Sequence, residues 1–587
     1  MKNIKYNLIY ILFILIIPGM WSCNKLEEYN PSNATAENVW NTPSGFQTLI
    51  NASYIGQRYF LGKEDGALMT EAGTDLWYAY QKGNYASQLF KYTNFTSSSS
   101  GTSTNYWRDL WPGINFCNAG IERINNAGYQ SQAVRKQKEG ELRYLRAFYY
   151  YHIVETWGGV CLRTAETTSP ILTAQRSSVK DFYNLMISDL DSAKLWLPTT
   201  TSDLGRAVRK SAYGLLAKVL LTRAYYSLDE GNTAEANDYF TRAKKVAHTV
   251  IDSAANWGVS LYPNYSDLWL NDNSAISGNK HCKEALYVVS NSMNLSIDVD
   301  GNGNRLHLWF LCNYNGKPGM VTDMANGYPK SMYFMPTEFL LDLFDGSKDS
   351  RYAASFQDTW KNNSSTYTWT AATCKTWGKL PSVAGQKINV GDTAIYITNK
   401  SIADKRTRKY VVIDRDSLYA ADSIRSTCDL FPALKKFLDP TRTSATAQPG
   451  TRDIIMIRLA EMYMIAAEAE FQLGDKASAA IDINVIRNRA SKTHSGDLNV
   501  SASDITLDFI LDERAREFAG EHMRWFDLKR TRTLAQRIQK YNKNIHLPDN
   551  LLQKGNGHFE NVLLRPVPQT ELDALSNGIE FGQNPGY

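Results

Sequence analysis

Between residues 452 and 490 the apolar positions Leu459, Met462, Ala466, Ala469 and Leu473 recur at alternating spacings of three and four, so they share one stripe of an α-helix. Gly474 ends that helix and Asp475 is suited to cap a second one, on which Ala477, Ile481 and Val485 recur at the same kind of spacing. A two-residue connection folds the pair back antiparallel. Ala460, Ala466, Ala467, Ala469, Ala477, Ala479 and Ala480 are small enough to let the two axes approach closely. Such a hairpin cannot bury both faces alone, so it predicts neighbours of its own kind.

The chain supplies them. Residues 211–228 form another alanine-rich helix, followed by the polar turn Asp229-Glu230-Gly231-Asn232 and a partner over 234–252. Three further stripes precede it: Trp107, Leu110, Trp111, Ile114, Cys117, Ile121 and Ile124; then Leu142, Leu145, Phe148, His152 and Ile153, ended by Gly158-Gly159; then Val179, Phe182, Met186, Leu190, Ala193 and Leu197, closed by Pro198. Helices are also expected over 38–60 and, as one continuous element, over 507–532. Helical pairs recurring with small residues on their packing faces resemble tetratricopeptide repeats, although no strict period is visible.

From 256 to 450 the pattern dissolves into Gly, Asn, Ser and Thr with many aromatics, and only short helices (336–344) and short strands (285–290, 410–413) are suggested. A structureless loop of that length is improbable, so this stretch reads as a loop-rich lobe inserted into the helical scaffold, where binding residues concentrate. The expected fold is therefore mainly α: a scaffold of tetratricopeptide-like hairpins with an inserted lobe of short helices and strands. Its segments are 1–22, 23–35, 36–255, 256–450 and 451–587.

The first 22 residues are a different kind of segment. Lys2 and Lys5 precede an apolar run over 8–17, too short and too close to the start for an ordinary membrane span, so it reads as a secretory signal. Gly19-Met20-Trp21-Ser22-Cys23 resembles a bacterial lipoprotein box, with Trp21 bulkier than the usual pattern. The resemblance implies a mature N-terminus at a diacylglycerol-modified and acylated Cys23, several chains together holding a protein on a bilayer where one would not. Asn24-Lys25-Leu26-Glu27-Glu28 is an acidic tether that looks like the export tag of surface lipoproteins in some Gram-negative bacteria. The six cysteines after Cys23 are far apart without C-x-x-C, which supports neither a zinc nor a redox motif, and the sequence does not choose among their possible pairings.

Composition adds two exclusions. Hydrophobic content of 43% and aromatic content of 12% over 587 residues mark a globular chain, and a net charge of +5 without a Lys/Arg stripe argues against nucleic acid as a partner. No H-E-x-x-H, G-x-S-x-G, Walker or dinucleotide fingerprint occurs, and the eight histidines show no metal spacing. Glu513, Glu517 and Glu521 recur every fourth residue and could be taken for a glycosidase carboxylate pair; Arg514, Arg516, Arg524 and Lys529 interleave with them, so ion pairing is the simpler account. Asp298, Asp300 and Asn302 match the first half of an EF-hand-like calcium loop, but Trp309 stands where the closing glutamate belongs, and a polar turn is the simpler reading. Calcium is kept as an option and no other cofactor is expected.

The segment LDERAREFAGEHMRWFDLKRT, the closing Leu564-Arg565-Pro566-Val567-Pro568 and Asn584-Pro585-Gly586-Tyr587, together with Arg458-Leu459-Ala460-Glu461, Ala467-Glu468-Ala469, Arg487-Asn488-Arg489-Ala490 and the lipoprotein signal, resemble the SusD-like (RagB/SusD) family of surface nutrient-binding lipoproteins. The resemblance spans essentially the whole chain and is weakest in the middle lobe. It implies four tetratricopeptide-like units, a variable lobe carrying the ligand site, and a TonB-dependent transporter of the SusC type as the partner over whose barrel the lipoprotein sits. It also implies a lipid anchor in the outer membrane, facing the cell exterior, and a binder without chemistry of its own.

A soluble sugar packs its C–H faces on aromatic rings while its hydroxyls seek amides, carboxylates and guanidinium groups. Trp77, Tyr78 and Tyr80, following Asp75, are three aromatics in four positions that cannot all lie on one side of an element. With Trp269, Trp309, Tyr314 and Trp377 they form the candidate ligand set. Glycan capture is the leading expectation. Peptide uptake in the same role, a surface glycosidase or protease, and a purely scaffolding repeat protein are the alternatives; the last two leave the aromatic lobe or the missing catalytic motif unexplained.

Overall fold

The computed structural model describes residues 35–79, 84–98, 101–270, 282–291, 294, 303–419 and 429–587. The expected stripes become long helices: α1 (Pro43–Ile55), α2 (Gly101–Arg123), α3 (Gln132–Trp157), α4 (Val179–Trp196), α5 (Arg209–Asp229), α6 (Thr233–Ser253), α7 (Leu459–Gln472) and α8 (Lys476–Ala490). From α2 onward each helix packs on the next. The step from α6 to α7 crosses some two hundred residues of sequence, yet the two helices are in contact like any consecutive pair. The two hairpins recognised in the sequence are thus adjacent members of one stack, and the scaffold is mainly helical. α3 is buried on every side over its last five turns, which is why Tyr149, Tyr150 and Tyr151 occur in a row there.

Both hairpins turn by the same chemistry. Gly231 (φ +73°) and Gly474 (φ +86°) take the left-handed conformation that closes a helix, and the next residue caps the following one. Asn232 Oδ1 accepts from Glu235 N at 3.1 Å, and Asp475 Oδ1 accepts from Ser478 N at 3.0 Å. An alanine at Gly474 would meet no neighbouring atom within 4 Å, so its effect is backbone strain alone. Gly474→Ala is expected to lose about 1–2 kcal/mol, read as a lower thermal midpoint with unchanged helical circular dichroism.

Three expectations need correction. On α8 the buried face is Ala479, Ala480, Ile483, Ile486 and Ala490, whereas Ala477 is exposed and Ile481 is 67% exposed. The inward stripe is rotated because it also carries a carboxylate, Asp482, which a sequence argument places outward. The continuous helix over 507–532 is two, α9 (Leu507–Phe518) and α10 (Arg524–Arg530), broken where Gly520 (φ +81°) and His522 (φ +61°) leave helical space. The carbonyls orphaned by that break are taken by cations: Lys436 Nζ donates to Glu517 O and Ala519 O, both at 3.1 Å, and Arg458 Nη2 donates to Glu517 O at 2.9 Å. The helix expected over 38–60 is interrupted between Ala36–Trp40, α1 and Gln57–Phe60, Pro43 starting α1 as a first-turn proline under a Thr42 cap.

The inserted lobe is held by short strands: β1 (Trp77–Ala79), β2 (Ala285–Val289), β3 (Phe334–Pro336), β4 (Thr359–Lys361), β5 (Thr393–Ile397), β6 (Val411–Ile413) and β7 (Ile454–Arg458). β2 and β7 pair antiparallel, Ile454 opposite Val289 and Arg458 opposite Ala285, so the chain enters and leaves the lobe at one ribbon beside the stack. β1 pairs with β3, and β4–β5–β6 form a small mixed sheet. Cys117, Cys161, Cys282 and Cys374 are unbridged thiols. Among the described residues no helix is long and apolar enough to cross a membrane.

Candidate functional site

Trp77, Trp269, Trp309, Tyr314 and Trp377 converge on one segment, residues 306–333, but they do not share one surface. Phe310 and Phe334 stack at 4.6 Å, and Trp77 meets both edge-on, at 5.1 and 5.9 Å. Phe437 joins Phe310 (5.6 Å) to Trp269 (6.1 Å), so Trp77 and Trp269 belong to one array. Trp77 is fully enclosed, its indole N–H donating to Glu71 Oε2 at 2.9 Å. Tyr78 is buried against Tyr419, and Tyr80 lies outside the described residues. As placed here, Trp77 and Tyr78 offer no face to a soluble sugar; pairing of β1 with β3 draws both rings inward.

Asp75 is buried as well. Arg524 Nε donates to its Oδ1 at 2.8 Å, while Arg524 Nη2 and Arg537 Nε reach Oδ2 at 2.6 and 2.8 Å. Burial works against the charged form, but the two guanidinium groups outweigh it and hold the carboxyl below its ordinary range. Asp75 therefore joins distant parts of the chain. Asp298, Asp300 and Asn302, like Cys23, lie outside the described residues.

The face that solvent reaches is elsewhere in the lobe. Trp377, half-buried, terminates the helix Ala371–Thr376, and Lys317 Nζ stands 5.9 Å from its ring centroid. Lys317 Nζ pairs with Asp429 Oδ2 at 2.6 Å, and Asn313 Nδ2 donates to the same oxygen at 2.8 Å. Beneath this polar cluster Tyr314 is buried, stacked on Trp360 at 6.3 Å, with its hydroxyl donating to Gly327 O. Trp309 is buried under a half-exposed Tyr333, the two rings 5.6 Å apart and nearly parallel. Trp309 and Tyr314 are thus enclosed, whereas Trp377 is partly accessible, with Lys317 over its ring and Asp429 and Asn313 grouped around that lysine. Trp269 is the other partly exposed ring of the set, with Lys436 Nζ 5.0 Å from its centroid. Sequence reasoning missed Lys317, Asn313 and Asp429: more than a hundred residues separate the first two from the third, and none belongs to a motif.

A cavity of about 420 Å³ lies apart from this face, between α2 and the C-terminal segment, where Trp107 and Trp111 pack 5.4 Å apart beside Ile171, Leu575 and Phe581. Its amides are engaged: Asn115 exchanges hydrogen bonds with the Thr167 backbone, and Asn118 holds Arg163 O and Ala165 O.

The carboxylates that could be mistaken for a glycosidase pair are enclosed. Glu513 receives Arg351 Nη1 (2.7 Å), Arg487 Nη1 (2.6 Å) and Arg516 Nη1 (2.7 Å); Glu517 receives Arg458, Arg489 and Arg351. Burial favours their neutral forms, yet the surrounding arginines prevail and hold both carboxyls well down, Glu517 at about 2. A general acid needs a proton to give near the working pH, and these groups have none.

Two family models match the chain: the SusD family over residues 301–587 and "starch-binding associating with outer membrane" over residues 26–221. SusD-like protein P2 of Formosa agariphila is 24% identical over 600 residues, covering 99% of this chain and 100% of that one. The starch-binding protein SusD of Bacteroides thetaiotaomicron is 25% identical over 473 residues, 77% of this chain and 73% of its own. Among solved structures, a laminarin-binding SusD-like protein superposes with a TM-score of 0.63 at 21% identity, covering 93% of this chain and 100% of that chain; at such identity the likeness concerns the fold.

Proposed function

The chain belongs to the SusD family, and from that premise we propose that it captures glycan at the surface of the outer membrane and delivers it to a SusC-type TonB-dependent transporter, without chemistry of its own. Glycan is the ligand class that the relatives' names carry, starch for one and laminarin for another. Anchoring through an acylated Cys23, with the lobe turned to the exterior, follows from the same family reading and the lipoprotein box.

The observation that carries the ligand assignment is the half-exposed Trp377 indole with Lys317 over one part of its ring and Asp429 and Asn313 grouped around that lysine. A pyranose ring laid on that indole places its equatorial hydroxyls within reach of a donor, an acceptor and an amide that does both. The enclosure of Glu513 and Glu517 by arginine supports binding over hydrolysis. Calorimetry against plant, host and microbial glycans is expected to give saturable heat with one class. Trp377→Ala should weaken that binding about tenfold or more, roughly 1.4 kcal/mol, while Trp111→Ala in the other cavity leaves it unchanged. Loss on Trp111→Ala instead would move the site to the α2 cavity, and silence across the panel would overturn the glycan reading.

A further inference from the structure

At the seam where the two hairpins meet, three helices converge on a polar cluster inside an otherwise alanine-lined interface. His248 comes from α6, Glu470 from α7 and Asp482 from the inward face of α8. His248 Nε2 lies 3.1 Å from Glu470 Oε1 and 3.4 Å from Asp482 Oδ2, and the candidate ligand atoms are all within 4.8 Å of one another. Glu470 is 4% exposed and Asp482 7%. Glu470 Oε2 is enclosed without a hydrogen-bond partner among the described residues, and the enclosed Asp482 Oδ2 has only the 3.4 Å approach of His248. The His248 side chain is 35% exposed, which leaves one side of the cluster open to solvent.

Two buried carboxylates facing each other are unfavourable unless a cation sits between them. No lysine or arginine among the described residues pairs with either. Lys244, one turn before His248, acts on Glu470 only through space, while Asp252, one turn after it, adds negative charge toward Asp482 and Tyr463. Among the described residues, His248 is the one basic side chain within ion-pair distance of these carboxylates.

We propose that His248, Glu470 and Asp482 bind a borderline divalent transition-metal ion of the zinc class, with water on the open side. Ligand atoms of a tetrahedral zinc ion stand about 3.3 Å apart, given bonds of about 2.0–2.1 Å, and the imidazole–carboxylate separations match. The donor set selects this class: an imidazole nitrogen suits zinc, copper or nickel, whereas calcium requires six or more oxygens. The ion would tie α6 to α7 and α8, the contact across which the lobe is inserted.

The test uses the purified chain stripped with chelator. Titration with zinc chloride is expected to show one equivalent bound and a raised thermal midpoint. Glu470→Gln, Asp482→Asn and His248→Ala should each weaken binding at least tenfold, and X-ray absorption of the loaded protein should show one imidazole among oxygen donors. Metal-free Asp482→Asn, relieved of a buried carboxyl, should melt no lower than the metal-free wild type, which keeps the variants interpretable. No binding, equal binding by all three variants, or equal competition by calcium would overturn the assignment.

Discussion

Glu517→Ala is expected to be the most destabilising single change in the chain, losing about 3–5 kcal/mol, because it removes one partner from the centre of a buried ion cluster. Glu517 Oε1 receives Arg458 Nη1 at 2.7 Å and also Arg489 Nη2, and Oε2 receives Arg351 Nη1 at 3.2 Å. All three arginines are buried, so alanine leaves three guanidinium groups converging on a vacated space that water does not reach. Glu284, Glu513 and Glu521 remain, but each is already engaged, by Arg489, by Arg351 and by Lys436 respectively. The cluster joins β7, α8, α9 and the lobe residue Arg351, so its loss should loosen the insertion and the last hairpin together.

The pH dependence has a definite sign. The folded Glu517 carboxyl is held at about 2 against an ordinary 4.5, so its contribution is complete above 4.5 and is lost as pH falls toward 2. Thermal midpoints of wild type and Glu517→Ala should differ most at neutral pH, and the gap should close through that window. A variant that melts with the wild type at pH 7 would show that the cluster contributes nothing.

What the sequence made legible follows from how local the signal is. The helix stripes other than that of α8, the Gly231-Asn232 and Gly474-Asp475 turns and the β2 and β6 strands rest on neighbours within a few positions, and they stand in the fold. Asp482 could not be placed, because a lone carboxylate on an inward face looks in sequence like an outward one; its partners are 12 and 234 positions away. The break at Gly520 was hidden for a related reason. Glu and Arg at fourth-residue spacing read as a continuous helix, and only the cations Arg458 and Lys436, brought from distant segments, satisfy the carbonyls that the break exposes. Among the aromatics, burial separates Trp77 and Tyr78 from the partly exposed Trp377, and the burial of the first two depends on the β1–β3 pairing, which no single stretch encodes.

Asp75→Ala separates those two roles for one residue. The carboxylate is buried between Arg524 on α10 and Arg537, and its backbone carbonyl accepts from Thr337 Oγ1 at 2.9 Å just beyond β3. Removing it leaves the Arg524 guanidinium with the neutral Leu511 carbonyl, at 2.7 Å, in place of a carboxylate, while Arg537 keeps Asp508 and Asp512. The expected loss is about 3 kcal/mol, the lower end for a broken buried pair, since only one of the two cations is left poorly compensated. Asp75→Asn should do little better, because its amide N–H₂ would face a guanidinium group. The folded carboxyl lies below its usual 3.8, so wild type and variant should converge as pH falls below that value. Were Asp75 instead a ligand contact, the variant would keep its melting temperature and lose glycan affinity. With the anchor role, the midpoint falls and, well below it, affinity for the captured glycan stays within about threefold of the wild type, which is less than 1 kcal/mol. β1 then acts as the part of the fold that carries Trp77 against Phe310 and Phe334 and so keeps the 306–333 segment, with Lys317 beside Trp377, in place.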